Sequence, residues 1–134
     1  MMTVNQTVGR LVEVRISSPV EIHDFLLLRA YLGKAMGPHA KVLFCVDWRK
    51  ADVFKPEISE RFLDIMRRDN PKIERSAFLT GTSAAFALQL EELINQSNNP
   101  NRKAFKKPVD LKTWLEPIMS PAEKDRITKF MDEA

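Results

Sequence analysis

A chain of 134 residues fits one ordinary domain, long enough to bury roughly two-thirds of its unfolded surface without disulfides or metals as staples. Its hydrophobic share of 44% and charged share of 29% exclude an intrinsically disordered chain, which lacks the apolar surface to offset ordering entropy. Basic residues (21) barely exceed acidic ones (18), for a net charge of +3, and the two signs are interspersed, so no nucleic-acid partner is expected.

The single cysteine, Cys45, lies inside the apolar run Val42-Leu43-Phe44-Cys45-Val46. It reads as a buried thiol in a reducing compartment. The N-terminus lacks a secretory pattern, and no stretch of eighteen apolar residues occurs, so a cytoplasmic location is expected.

Taken in order, Arg10 to Ile16 alternates charged and apolar residues, the pattern of a strand with one buried and one wet face. A further strand around Thr3-Val4-Asn5 would form a hairpin with it. Ser18-Pro19-Val20-Glu21 has the spacing of a capping box, so a helix is expected from about Pro19 to Met36, with Ile22, Phe25, Leu26, Leu28, Leu32, Ala35 and Met36 on its apolar stripe. Gly37-Pro38 supplies a left-handed cap and the stop.

Lys41 to Asp47 carries a continuous apolar and β-branched run between its terminal Lys and Asp, as in a central strand covered on both faces. Pro56-Glu57 opens a second helix, with Ile58, Phe62, Ile65 and Met66 inward, acids in its first turn and Arg67 and Arg68 in its last, before Asn70-Pro71 ends it. Ser76 to Thr80 is a short strand stopped by Gly81. Thr82 or Ser83 then caps a third helix, with Phe86, Leu90, Leu93 and Ile94 inward.

Asn95 to Asn101 is loop chemistry at nearly every position. A short edge strand is expected at Lys103-Ala104-Phe105-Lys106, then a helix over Val109 to Met119. Ser120-Pro121-Ala122-Glu123 repeats the capping box and starts a last helix through Ile127, Phe130 and Met131. The alternation of strands and helices implies right-handed crossovers and parallel pairing. The expected fold is a single α/β domain over residues 1–134, a mixed sheet of four to five strands with about five helices packed on it.

Val46-Asp47-Trp48-Arg49, Phe54-Lys55-Pro56-Glu57, the Ala77-Phe78 strand, Phe86 to Glu91, Asn99-Pro100 with Phe105, and Trp114-Leu115, read in that order, resemble the SpoIIAA-like branch of the STAS superfamily over nearly the whole chain. The resemblance implies a non-catalytic regulatory or protein-interaction module. STAS domains form sporulation anti-anti-sigma factors and cytoplasmic tails of anion transporters, and a neighbouring branch resembles CRAL-TRIO lipid carriers. Anti-anti-sigma factors carry an Asp-Ser pair at the start of the helix after the central strand, where a kinase phosphorylates the serine. The turn here, Asp47-Trp48-Arg49-Lys50-Ala51-Asp52-Val53, contains no hydroxyl, so control by phosphorylation at that point is not supported.

Ligands of open α/β sheets bind beyond the carboxyl ends of the parallel strands. Two turns are expected to meet there, Asp47-Trp48-Arg49 and Thr80-Gly81-Thr82-Ser83. Together they offer an aromatic face, a guanidinium, hydroxyls and free amides, a set suited to a protein partner or a small anionic or amphipathic ligand. The plainer account is structural. Asp47 and Arg49 pair with each other or with backbone, Thr82 or Ser83 caps a helix, and Trp48 covers the sheet edge.

The cluster Arg102-Lys103-Ala104-Phe105-Lys106-Lys107 reads first as a solvated edge strand guarded by lysines, leaving at most peripheral membrane contact. His23 and His39 have no carboxylate or cysteine at ligand spacing, and no phosphate loop or nucleophile motif occurs, so neither metal, cofactor nor catalysis is expected. Two further expectations stay open: a homodimer, and a small amphipathic ligand, such as a lipid, held between the sheet and a movable Leu111-Trp114-Leu115 helix.

Overall fold

The computed structural model describes residues 1–133. Five strands, β1 (Met2–Val8), β2 (Leu11–Ile16), β3 (Val42–Trp48), β4 (Ile73–Thr80) and β5 (Arg102–Phe105), form one sheet in sequential order. The β1–β2 hairpin is antiparallel and every other pairing is parallel. Helices α1 (Asp24–Met36), α2 (Pro56–Asp69) and α3 (Ala84–Gln96) are the crossovers, and α4 (Pro108–Leu115) and α5 (Pro121–Asp132) follow β5.

Successive strand residues point to opposite faces, and this separates two cores. Val12, Val14, Ile16, Phe44, Val46, Trp48 and Phe78 pack under α1, α2 and α3. Leu11, Leu43, Cys45, Ala77 and Leu79 pack under α4 and α5 through Leu111, Leu115, Ile127 and Phe130. β3 is therefore buried along its whole length, as its unbroken apolar run requires.

Several expectations are corrected. The first helix begins at Asp24, not Pro19, because Ser18 is engaged elsewhere. Its hydroxyl accepts from the Asp52 backbone N–H at 2.8 Å and its own N–H donates to the Lys50 carbonyl at 3.1 Å. Asp24 closes the entrance instead, its carboxylate accepting from Glu21 N–H at 2.9 Å. On that helix Leu26 is 78% exposed and Ile22, just before it, is exposed as well, so neither joins the inward stripe. Gly37 ends α1 at φ 14°, outside the left-handed region, with its N–H on the Gly33 carbonyl.

β4 starts at Ile73, three residues earlier than expected. α4 stops at Leu115, and Glu116–Ile118 forms a 3-10 turn around Pro117, since proline lacks the N–H that continued α-helix needs. The capping box at Ser120 does form: Ser120 Oγ accepts from Glu123 N–H at 3.2 Å, and Glu123 Oε1 accepts from Ser120 N–H at 2.8 Å. The other Glu123 oxygen accepts from Arg10 N–H at 2.9 Å, tying the start of α5 to the β1–β2 turn. Gly9 in that turn sits at φ +55°, and a Cβ there would lie 2.6 Å from Glu123 Oε2.

Candidate functional site: the carboxyl edge of the sheet

Because β3 and β4 are parallel neighbours with Trp48 opposite Thr80, their exit turns leave from the same edge. They touch: a Cβ on Gly81 would lie 2.4 Å from the Arg49 carbonyl oxygen, so this approach requires glycine. The side chains divide between the two faces of the sheet.

Trp48 points into the first core and is 2% exposed. Phe54, Phe62, Phe78 and Phe86 surround it with ring centroids at 5.5, 5.2, 5.3 and 5.6 Å. It presents no aromatic face at the edge. Its indole N–H is buried without an acceptor, unusual for a tryptophan.

Asp47 points to the opposite face, beneath α5, and is 3% exposed. Its carboxylate accepts from Arg49 N–H at 3.0 Å, Arg49 Nε at 3.0 Å, Arg49 Nη2 at 3.1 Å and Arg15 Nε at 2.9 Å. Burial by itself raises the pKa of this carboxyl. The hydrogen bonds from Arg49 and Arg15 outweigh it and hold the group below the usual carboxylate range.

The two guanidiniums also reach the last turn of α5. Arg49 Nη2 donates to the Met131 carbonyl at 2.7 Å, and Arg15 Nη2 donates to the Phe130 carbonyl. Both carbonyls lie in the last turn of α5, where cations complement the helix dipole. Arg15 also lies 4.3 Å over the Phe130 ring. One turn earlier Arg126 grips Glu13 of β2 with two bonds, at 2.7 and 2.8 Å, and pairs with Glu133 at 3.2 Å.

On the second turn, Thr80 is buried and its hydroxyl donates to the Phe105 carbonyl at 3.3 Å. Ser83 caps α3, accepting from Phe86 N–H at 3.1 Å, whereas Thr82 is exposed. Gln89 of α3 holds the loop after β3: its amide accepts from Phe54 N–H at 2.7 Å and donates to the Phe54 carbonyl at 2.8 Å. What the edge shows to solvent is apolar and of mixed charge, through Ile22, Leu26 and Val53 with Lys50, Lys55, Glu21 and Asp52.

Among solved structures, the chain is similar to an uncharacterized protein of the DUF3478 family with a SpoIIAA-like fold from Shewanella loihica PV-4, at TM-score 0.64 and 12% identity over 86% of this chain and 92% of that one. It is similar also to the anti-sigma factor antagonist SpoIIAA in its unphosphorylated form, at TM-score 0.58 and 12% identity over 90% and 100%. The chain has a SpoIIAA-like fold. No protein-family model matches the sequence, and no curated protein matches it significantly.

Within this SpoIIAA-like fold, several residues that position the edge are not apparent from local sequence. The alternation in β2 suggests a wet face, yet Glu13 is 1% exposed, because α5 covers that face and brings Arg126 as counter-charge. Ser18, Arg15 and Gln89 act over long sequence separations. Arg102 reads as part of a solvated basic strand but is buried, donating to the Met66 carbonyl at 2.7 Å and to Asn70 and Ser76. Burial draws its pKa down to about 10, with Asp69 opposing.

The segment after β3 does not become helical until Pro56, so the first turn of α2 carries one hydroxyl, the half-buried Ser59. No group of His, Cys, Asp and Glu suited to a metal ion occurs among the described residues. No helix among them is long and apolar enough to cross a membrane.

Proposed function

We propose that the chain is a non-catalytic, cytoplasmic regulatory module that binds another protein across the carboxyl edge of its sheet and the exposed first turns of α1. The observation that carries this reading is the exposure of Ile22, Leu26 and Val53 on segments joined by the Ser18–Asp52 hydrogen bond, with Lys50 and Lys55 exposed in the same loop. Exposed apolar side chains rimmed by charge mark interaction surfaces. The charges of the exit turns, Asp47 and Arg49, are engaged in anchoring α5, which favours a rigid docking surface over acid–base chemistry. The similarity to a structure named as an anti-sigma factor antagonist supports the same class.

The test is a pair of substitutions, Leu26→Asp and Val53→Asp, introduced together. Both sites are exposed, so the melting temperature should stay within a few degrees of wild type, while proteins co-purifying from the native host are lost. Capture of the same proteins by both forms would overturn the reading.

A second reading rests on its own observation. An apolar cavity of about 50 Å³ lies between α1, α2 and the sheet, lined by Leu28, Leu32, Phe44, Trp48, Phe62 and Phe78 among others. This is about a third of the volume of an apolar cavity that takes benzene, so an amphipathic molecule would enter only as α1 or α2 moves off the sheet, with the unpaired indole of Trp48 as donor to its hydrogen-bond acceptor. This locus replaces the one beneath α4, where Leu111 and Leu115 are fully buried and Trp114 packs against Phe105 and Arg75. Native mass spectrometry of protein from its own host would show an adduct lost in Trp48→Phe. A clean chain mass would overturn this reading.

A further inference from the structure

The two edges of the sheet differ in how they meet solvent. β5 is four residues long, and Lys103, Lys106 and Lys107 within and just after it are all exposed. Short length and lysines are the devices that keep an edge from pairing with another chain. β1, at the opposite edge, runs for seven residues and pairs only with β2.

From Met2 to Val8 it contains no charged residue and no proline. Thr3, Asn5 and Thr7 are exposed along it. Threonine and valine favour extended backbone, and from Met2 to Asn5 β1 pairs regularly with β2, so this half offers an unguarded row of N–H and C=O groups, while a register shift between Asn5 and Val8 interrupts the rest.

The helix above this edge is unpartnered on the same side. α1 turns Phe25, Leu28 and Leu32 to the core, and Arg29, Gly33 and Met36 face α2 across a groove with Ile65 and Arg68. At about 100° per residue, Tyr31 falls on the flank away from α2, on the side of β1, and Leu27 lies next to it, nearer the outer face of the helix. Leu27 and Tyr31 are 56% and 45% exposed.

We infer that β1 and this flank of α1 form a homodimer interface, in which β1 pairs antiparallel with β1 of a second copy and the two five-stranded sheets become one. A two-fold axis sets each strand against its own image. Any charge near the centre of such a strand would then meet its like, which is destabilising; β1 has none, and its centre is Asn5. Leu27 and Tyr31 of the two copies close over the joined strands. That continuity of strand and apolar flank favours a second copy over a short peptide from another protein, which would leave the helix flank uncovered.

Light scattering behind size exclusion should give twice the chain mass at micromolar concentration. Asn5→Lys and, separately, Leu27→Glu should each raise the dissociation constant about tenfold or more, with circular dichroism unchanged. Leu27→Glu leaves β1 intact, so it separates loss of the interface from damage to the strand. In the wild type, backbone amides of Thr3 to Thr7 should exchange slowly at high protein concentration and faster on dilution.

A wild-type chain that stays monomeric at millimolar concentration would overturn the proposal, as would a dimer indifferent to both substitutions. Protection of β1 amides only after addition of host extract would equally overturn it, assigning the edge to a foreign strand.

Discussion

Asp47 shows how one carboxylate sets the end of a helix. It holds Arg49 and Arg15, and they hold the carbonyls of Met131 and Phe130. Asp47→Ala leaves two guanidiniums without their counter-charge and should cost about 3 kcal/mol or more by chemical denaturation. Its carboxyl titrates below its ordinary value in the folded chain, so its contribution is complete above about pH 4 and is lost as pH falls through the lower folded value. Asp47→Asn should therefore flatten the acid limb of a stability profile measured below pH 4. Gly9→Ala is a second single-residue test: the positive φ and the contact with Glu123 predict a melting temperature several degrees lower.

At the scale of elements, α5 is fastened at both ends, by the Ser120–Glu123 box with Arg10 at its start and by Arg15 and Arg49 at its finish. Cys45 lies beneath it, fully buried; burial pushes this thiol well up, and the carboxylates of Asp47 and Glu13 add to the effect. Thiol reagents should label the folded wild type slowly and Arg126→Ala much faster, since that change leaves Glu13 buried without its partner. Unchanged labelling would show that Arg126 does not keep α5 docked.

Local chemistry announces much of this level. The second capping box, the Pro56 start of α2, the apolar run of β3 and the Asn-rich loop before β5 are all readable from neighbouring residues. The Ser18 box is not, because its hydroxyl is taken by a residue 34 positions away.

For the whole molecule, parallel pairing follows from the alternation of elements, and the sequential order in which the strands lie, which that alternation does not fix, brings the two exit turns together. The character of the edge does not follow from it. Residues adjacent in sequence, Asp47 and Trp48, are sent to opposite faces by the two-residue period of a strand, so a list of neighbours joins groups that the sheet separates. The exposed face of α1 is also hidden in the sequence: Leu26 and Leu28 are alike in chemistry, and only helix phase relative to the sheet makes one solvent-facing and the other core.

The division of the sheet into two cores bears on how the chain is made. Everything that covers the first face lies before Asn95, whereas the second waits for Leu111, Leu115, Ile127 and Phe130. While a ribosome is still adding residues after β5, the strip of Leu11, Leu43, Ala77 and Leu79 has nothing over it, a surface on which nascent chains adhere to one another or to chaperones. A chain ended after Met119 should accumulate as insoluble protein, and co-expressed residues 120–134 should return part of it to the soluble fraction.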